Sequence, residues 1–296
     1  MNRMKTQLTI GVCALAALLA FVGPAAAYTI DGDLSDWGLT ALKSGDWSVN
    51  ETWLPNAGIQ FTVEDNYDPT HGRDPSGVHI KGVGSIYSTF YEPKQKLASN
   101  GVEVSEPYGG ECYDLEAMYF DQDDDYIYVA IITSLDPYGI GDKRPGDLAL
   151  NLDNNLSTGD LGYEYGVIVH PTKGIYSQGS IVYDPEEMWE KKGYLLPVKP
   201  DIIVSGSKVG DAKLVYTGDW LLTEDNSYPN YVIEVAIPKS VVGVEGKTVP
   251  FSAIMYVDNC INEHMHYVPE FPTIAISLGA VIGMIFAIFV VRKKEE

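Results

Sequence analysis

The chain of 296 residues has little positive charge: 20 lysines and arginines stand against 41 aspartates and glutamates, a formal net charge of −21. A surface this acidic repels the phosphate backbone, which excludes nucleic acid as a partner, and it favours cations as ligands. The same composition also keeps an exported protein well solvated, which is the simpler reason for it.

The sequence also lacks the short motifs of common hydrolases and redox enzymes. It contains no G-x-S-x-G, H-E-x-x-H or C-x-x-C pattern. The histidines (His71, His79, His170, His264 and His266) stand outside any nucleophile motif. Carboxylates are so numerous that two lying close together carry little information. We therefore predict a non-catalytic protein.

Long apolar runs are confined to the two ends of the chain. At the front, two basic residues precede an apolar stretch over 8–22, and three alanines at 25–27 offer small residues to a signal peptidase. The apolar core is 15 residues long, shorter than the roughly 20 that a bilayer needs. We predict a cleaved signal peptide over 1–27, with Tyr28 as the first mature residue.

Cysteine is scarce: Cys13 falls in the signal segment, and only Cys112 and Cys260 remain. An even number of thiols in an oxidising compartment indicates a disulfide. That bond would close a loop of about 150 residues and stabilise the fold by roughly 4 to 5 kcal/mol. Two separate buried thiols are the alternative. Asn50 and Asn155 begin N-x-S/T sequences and are candidate glycosylation sites.

The middle of the chain alternates tyrosine and β-branched residues in short runs that end at Gly, Pro, Asn or Asp. This pattern predicts about ten strands. The strongest is 126–133, and the others are 58–63, 113–120, 147–152, 163–169, 175–183, 213–216, 231–237 and 250–257. We predict two helical turns only over 185–192. The expected fold is one all-β ectodomain over 28–268, an antiparallel β-sandwich of jelly-roll-like form.

Three motifs resemble exported β-sandwich domains related to the family 9 carbohydrate-binding modules and the DOMON group. Residues 28–37, YTIDGDLSDW, resemble their I-D-G-x-L-x-D-W opening. Residues 111–130 resemble a strand pair of these domains, and 231–238, YVIEVAIP, resembles a late strand. In the opening motif we expect Ile30 and Leu34 to reach the core, Gly32 to turn the chain and Trp37 to cap the end of the sandwich.

The resemblance implies a binding or structural module with surface carbohydrate as the leading ligand class. The predicted stacking residues are the tryptophans in loop-like surroundings, Trp47, Trp53, Trp189 and Trp220, with packing as the alternative. Its DOMON members imply a haem-binding or redox domain instead, for which His264 and His266 are the candidates, unless they lie in a solvated stalk. An enzyme acting on surface glycans is the third alternative.

A loop over 153–164 is typical of a calcium site, since hard cations prefer oxygen ligands. Asp153, Asn155, Ser157 and Glu164 occupy loop positions 1, 3, 5 and 12. Thr158 stands where an EF-hand needs glycine, and strands flank the loop, so we predict a β-hairpin calcium loop. Asp114 and Glu116 alternate on a predicted strand and would add carboxylates. The alternative is a polar turn held by local side-chain-to-backbone bonds.

The C-terminal tail combines three features. Residues 273–291 are 19 uncharged residues, which as a helix cover nearly 30 Å, the thickness of a hydrocarbon core. Arg292, Lys293 and Lys294 follow, which predicts a cytoplasmic C-terminus and an external domain. Pro269, Glu270 and Phe271 precede the span.

Together these features of residues 269–296 resemble the PEF-CTERM sorting signal of archaeal surface proteins. The resemblance implies that an archaeosortase, a membrane cysteine transpeptidase, cuts near the motif and passes the protein to a lipid. A permanent membrane helix is the alternative. We predict an exported, membrane-anchored protein of the cell surface.

Overall fold

The computed structural model describes residues 28–39, 54–65, 79–82, 85–88, 96–97, 103–104, 115–141, 144–172, 174–184, 188–192, 199–221, 230–250, 252–256 and 263–267. These residues are all-β, with antiparallel pairing and no helix, as the alternating pattern predicts. The predicted signal peptide, sorting tail and disulfide lie outside them.

The described strands are β1 (Gln60–Asp65), β2 (His79–Gly82), β3 (Ser85–Ser88), β4 (Lys96–Leu97), β5 (Glu103–Val104), β6 (Leu115–Gln122), β7 (Tyr126–Thr133), β8 (Leu148–Asn151), β9 (Tyr165–Val167), β10 (Ser180–Tyr183), β11 (Trp189–Lys192), β12 (Lys199–Ile203), β13 (Ser207–Asp211), β14 (Lys213–Leu221), β15 (Asn230–Pro238), β16 (Ser252–Tyr256) and β17 (Glu263–Tyr267). All nine predicted strands are confirmed, with shifted ends.

Two large sheets contain most of these strands. One has the order β14-β15-β7-β6-β1-β2, and the other has the order β13-β10-β9-β8-β16-β17-β3. The pairs β11-β12 and β4-β5 form two small sheets. The acidic turn between β6 and β7 makes the predicted hairpin, with Phe120 opposite Val129.

One hydrophobic cluster takes side chains from both large sheets. On β7, Ile127, Val129 and Ile131 enter this shared core, and from the other sheet β8 contributes Leu148 and Leu150. The alternate residues of β7 turn to the opposite face of their own sheet, because side chains along a strand alternate between the two faces. The two sheets therefore bury a common apolar layer.

The outer face of the six-stranded sheet is covered by the N-terminal residues 28–39. Leu34 and Trp37 are fully buried there, against Tyr119 and Ile132. The prediction that Trp37 caps the end of the sandwich is therefore wrong in its location. The indole packs on a sheet face, where small Ala117 and Ala130 leave room for it.

The outer face of the seven-stranded sheet is covered by the β11-β12 hairpin. Trp189 and Ile203 from this hairpin join Ala149 and Val182 from the sheet in a separate buried cluster. The predicted helical turns over 185–192 are wrong for residues 189–192, which are strand β11. Tryptophan and the pairing partner β12 outweigh local helix propensity here.

The alternative interpretation of residues around His264 and His266 as a stalk is also wrong. Residues 263–267 form β17, which pairs with β16 on one side and β3 on the other. The segment before the sorting motif thus belongs to the seven-stranded sheet.

Candidate functional site

The opening motif is held by one buried carboxylate, that of Glu234 on β15. Its Oε2 accepts the backbone N–H groups of Asp31 and Gly32, each at 3.0 Å. Its Oε1 accepts the indole N–H of Trp37 at 2.9 Å. Burial raises the pKa of Glu234 and Asp36 adds to the rise, while the three hydrogen bonds lower it. These donors need an acceptor at both oxygens, which an ionised carboxylate provides.

The same motif is tied to the hairpin of β6 and β7 through Tyr28. Its hydroxyl donates to Asp121 Oδ2 at 2.5 Å, and its ring lies 4.1 Å from the Trp37 ring and 4.8 Å from the Tyr128 ring, centroid to centroid. Burial and the bond to Asp121 raise the pKa of Tyr28 well above its ordinary value. All three motifs of the sequence resemblance therefore contact one another.

The loop over 153–164, between β8 and β9, brings oxygens together around the hydroxyl of Thr158. Its Oγ1 lies 3.0 Å from both oxygens of Asp153, 2.7 Å from the Asn155 carbonyl and 2.6 Å from Glu164 Oε1. A hydroxyl carries one proton and donates one hydrogen bond at a time. Two of these oxygens also accept backbone N–H groups of the loop: Asp153 Oδ1 that of Asn155 at 2.9 Å, and the Asn155 carbonyl that of Thr158 at 3.1 Å.

The other loop contacts are local. Asn155 Oδ1 accepts the Ser157 N–H at 3.0 Å, and Glu164 Oε2 accepts the Leu152 N–H at 2.9 Å. Burial raises the pKa of Glu164, with the Asp153 charge adding to the rise. Asn155 and Ser157 are exposed. The same residues therefore fit two interpretations of the loop, as a polar turn and as a cation site.

Within the part of the chain that the structure describes, no three or more His, Cys, Asp or Glu side chains form a group able to hold a metal ion. Calcium also takes hydroxyl and carbonyl oxygens, which Thr158 and Asn155 supply here beside Asp153 and Glu164. Of the proposed extra ligands, Asp114 lies outside the described residues. Glu116 lies where the β6 register shifts.

The acidic turn before β7 has an internal cation. Lys239, 1% exposed, donates from Nζ to the backbone carbonyls of Asp123 and Lys247. Desolvation lowers the pKa of Lys239, and the charges of the three aspartates at 123–125 raise it. Lys239 thus offsets about one of the three aspartate charges of this turn, whereas the 153–164 loop contains no lysine or arginine.

Another carboxylate, that of Asp147, is also buried. It accepts the N–H groups of Val169 and Ile203, each at 2.8 Å. Burial raises its pKa to about 6, against the lowering effect of these amides and of Arg144. Asp147 directly precedes β8 and bonds to residues near the ends of β9 and β12. We therefore assign it a structural role.

A small surface cavity has a volume of about 220 Å³ and is lined by Arg144, Gly174, Ile175, Ile202, Ile203 and Val204. Small-molecule pockets typically measure about 300 to 1,000 Å³. The cavity is therefore too small to enclose a ligand of that size.

The predicted stacking tryptophans divide into two groups. Trp47 and Trp53 lie outside the described residues, as does the side chain of Trp220. Trp189 is only 3% exposed, and its ring fits against Gly166, where an added Cβ would come within 2.7 Å of it. Trp189 is thus a packing residue rather than a sugar platform. The exposed aromatic rings of the described residues are Tyr138, Tyr176 and Tyr183.

The remaining predicted site residues, Asn50, Cys112, Cys260 and the sorting motif at 269–271, also lie outside the described residues. Among the described residues, no helix is long and apolar enough to cross a membrane. Sequence reasoning missed Glu234, whose signal is a lone acidic residue within an apolar strand, YVIEVAIP.

One segment of the chain is similar to a known protein family. Residues 268–294 match the PEF-CTERM archaeal protein sorting domain. No curated protein and no solved structure matches the chain. The sorting domain implies an exported, membrane-anchored protein of the cell surface that an archaeosortase processes.

Proposed function

We propose that this protein is a non-catalytic module of the cell envelope, in which a β-sandwich ectodomain over 28–268 binds or builds surface structure. The observation that carries the proposal is the sorting domain at 268–294. A domain delivered to the surface and attached there needs its fold outside the cell, which agrees with the acidic composition and the predicted signal peptide.

The sandwich is supported by the shared core of the two large sheets. Both contribute alternate residues to one buried cluster, which is how sheets pack face to face in sandwiches. The N-terminal residues and the β11-β12 hairpin cover the two outer faces, so this sandwich presents loops and edges rather than bare sheet faces to a ligand.

Surface carbohydrate is the proposed ligand class, on the strength of the three motifs that contact one another. The geometry favours an open site, because the cavity near Arg144 encloses only about 220 Å³. Tyr183 is 39% exposed with its ring 5.0 Å from that of Tyr165, and it offers a ring for stacking on a sugar. Binding of glycans purified from the native envelope, compared between wild type and Tyr183→Ala, measures this contribution, and equal binding contradicts it.

Calcium is proposed as a stabilising ion of the 153–164 loop, held by Asp153, Glu164, the Thr158 hydroxyl and the Asn155 carbonyl. When bound, the ion supplies the positive charge that this loop lacks. Its role is structural.

The decisive experiment for the attachment is mass spectrometry of the mature protein from native cells. Processing near Pro269 to Phe271 leaves no peptides from residues 273–296 in surface material, and the new C-terminus carries the mass of a lipid adduct. Recovery of peptides that reach Glu296 from the same material contradicts processing and favours a permanent membrane helix.

A further inference from the structure

The carboxylate of Asp36 has one oxygen with a donor and one without. Its Oδ2 accepts the N–H of Thr29 at 2.7 Å. Its Oδ1 is buried and meets no hydrogen-bond donor among the residues that the structure describes. Burial raises the pKa of Asp36 and the negative charge of Asp31 adds to the rise, while the backbone N–H groups of Thr29, Trp37 and Asp36 itself lower it. A buried carboxylate oxygen needs a hydrogen-bond donor, and a cationic donor also offsets its charge.

The backbone nitrogen of Tyr28 directly precedes that of Thr29, which donates to this carboxylate. Consecutive backbone nitrogens are at most about 3.7 Å apart, and the nitrogen of Thr29 already touches Asp36. Tyr28 itself is fixed in place, because its hydroxyl bonds to Asp121 and its ring packs against Trp37 and Tyr128. The first residue of the predicted mature chain is thus held beside Asp36.

We infer that the α-ammonium group of Tyr28, created when the signal peptide is removed, forms an ion pair with Asp36 and so completes the fold. The inference rests on the proposed export and on cleavage after Ala27. In the precursor, the Tyr28 nitrogen is a neutral amide with one proton. Hydrolysis breaks the C–N bond between Ala27 and Tyr28: the carbonyl carbon of Ala27 takes the oxygen of water and becomes a carboxylate, and the two protons of that water go to the nitrogen, which becomes an ammonium with three donors.

The surroundings favour the charged amine. The ionisable groups that face Tyr28 and Asp36 are Asp31, Asp121, Glu234 and the Tyr128 hydroxyl, which are anionic or neutral at pH 7. An ammonium gaining such partners has a pKa above the usual 7.7–8.0 of an α-amine. Its stabilisation is complete below that ordinary pKa and disappears as pH rises through the raised folded value.

The test compares two forms of the whole chain from residue 28 to its end, in detergent, released from a cleavable fusion. One begins at Tyr28 and the other has a single glycine before Tyr28, which keeps an ammonium but moves it by one residue. At pH 6.5 we expect the Tyr28 form to melt higher by about 3 to 6 °C. In Asp36→Asn, which keeps an acceptor for Thr29, the two forms melt together. Equal melting of the wild-type forms, or a difference that survives Asp36→Asn, overturns the inference.

A second readout is independent of stability. The pKa of the Tyr28 α-amine, measured from the pH dependence of its reaction with an amine-specific reagent, is expected to be above 8.0 in wild type and to return to the ordinary 7.7–8.0 in Asp36→Asn. An ordinary pKa in wild type overturns the pairing. N-terminal sequencing of native protein separates this inference from export: another first residue overturns the inference and leaves the sorting tail untouched.

Discussion

At the scale of single residues, the carboxylate of Glu234 holds the opening motif in place, because it accepts three N–H hydrogen bonds from it. Glu234→Gln replaces one acceptor oxygen with an NH₂ group that faces an N–H. We expect the free energy of unfolding to fall by about 1 to 3 kcal/mol, which lowers the melting temperature by roughly 2 to 12 °C. Calorimetry measures the shift.

The matched control is Glu245→Gln, which makes the same chemical change at an exposed position. Such a substitution normally changes stability by less than about 0.5 kcal/mol. If both variants melt like wild type, the carboxylate does not hold the motif.

Gly32 supports the same contact from the motif side. It has φ +86°, and a Cβ there would lie 2.3 Å from Thr217 Cγ2. Gly32→Ala therefore combines a left-handed conformation, which costs roughly 1 to 2 kcal/mol, with overpacking that costs about 1 to 3 kcal/mol more. We expect a loss equal to the sum of both, measured by urea unfolding.

Gly243→Ala separates the two contributions, because Gly243 has φ +74° with nothing within 4 Å of its added Cβ. It should lose the conformational part alone. Adding Thr217→Ser to Gly32→Ala removes the clashing methyl group and should recover the steric part. Equal losses in Gly32→Ala and Gly243→Ala contradict the contact with Thr217.

The raised pKa of Asp147 predicts that the free energy of unfolding depends on pH. Its folded pKa of about 6 lies above the ordinary value near 3.9, so the folded state binds the proton more tightly than the unfolded state. Its contribution is present at acid pH and is lost as pH rises from about 4 through 6, by up to roughly 3 kcal/mol. Urea unfolding of wild type and the non-titrating Asp147→Asn at pH 4, 5, 6 and 7 isolates it. Parallel stability curves contradict the raised pKa.

At the scale of elements, sequence patterns identified the strands whose burial is regular. On β7, 126–133, one face enters the shared core and the other meets the N-terminal cover, so apolar and β-branched residues fill the run. Predicted ends were less accurate: 175–183 shortens to β10, 180–183, because 174–179 forms bends and a turn before β10. The edge strand β13 was not predicted, because four of its five residues are exposed and its sequence has no alternation of apolar residues.

The candidate sites were harder to predict because they join distant segments. Glu234 meets Gly32 across 202 residues, and no local pattern encodes that contact. Trp189 looks like a loop tryptophan in sequence and becomes buried only because Gly166, on another strand, leaves room for it. The 153–164 loop could be proposed as a calcium site from sequence alone, because its candidate oxygens are spaced within 12 consecutive residues.

The 153–164 loop gives a prediction at this scale. In millimolar Ca²⁺, compared with EDTA, we expect the whole chain from residue 28 to melt higher by roughly 5 to 10 °C, which corresponds to about 2.7 kcal/mol at a hundred times Kd. Asp153→Ala should lose the rise, because Asp153 brings two of the oxygens around Thr158. Asp124→Ala removes an exposed carboxylate elsewhere and should retain it. An unchanged wild-type melt means that the loop is a self-sufficient polar turn.

At the scale of the whole molecule, the cellular location of the protein is better defined than the ligand that it binds. The match to the sorting domain covers 268–294, and it places the chain at a membrane surface without describing the domain that is displayed there. The described residues outside that match form two large sheets that share one buried cluster, with a further cluster on each sheet, and the sequence carries a strong negative charge.

That charge yields the last prediction. Outside the terminal segments the chain has 15 basic and 38 acidic residues, so the folded state carries self-repulsion that salt screens. The Debye length falls from about 30 Å at 0.01 M to about 10 Å at 0.1 M, and we expect the melting temperature in EDTA to rise over this range of NaCl. The rise should persist in Asp153→Ala, whereas CaCl₂ at matched ionic strength should raise wild type further and not the variant. If NaCl has no effect, repulsion does not limit stability. If CaCl₂ and NaCl act alike on wild type, the loop has no preference for calcium and the acidic surface serves solvation alone.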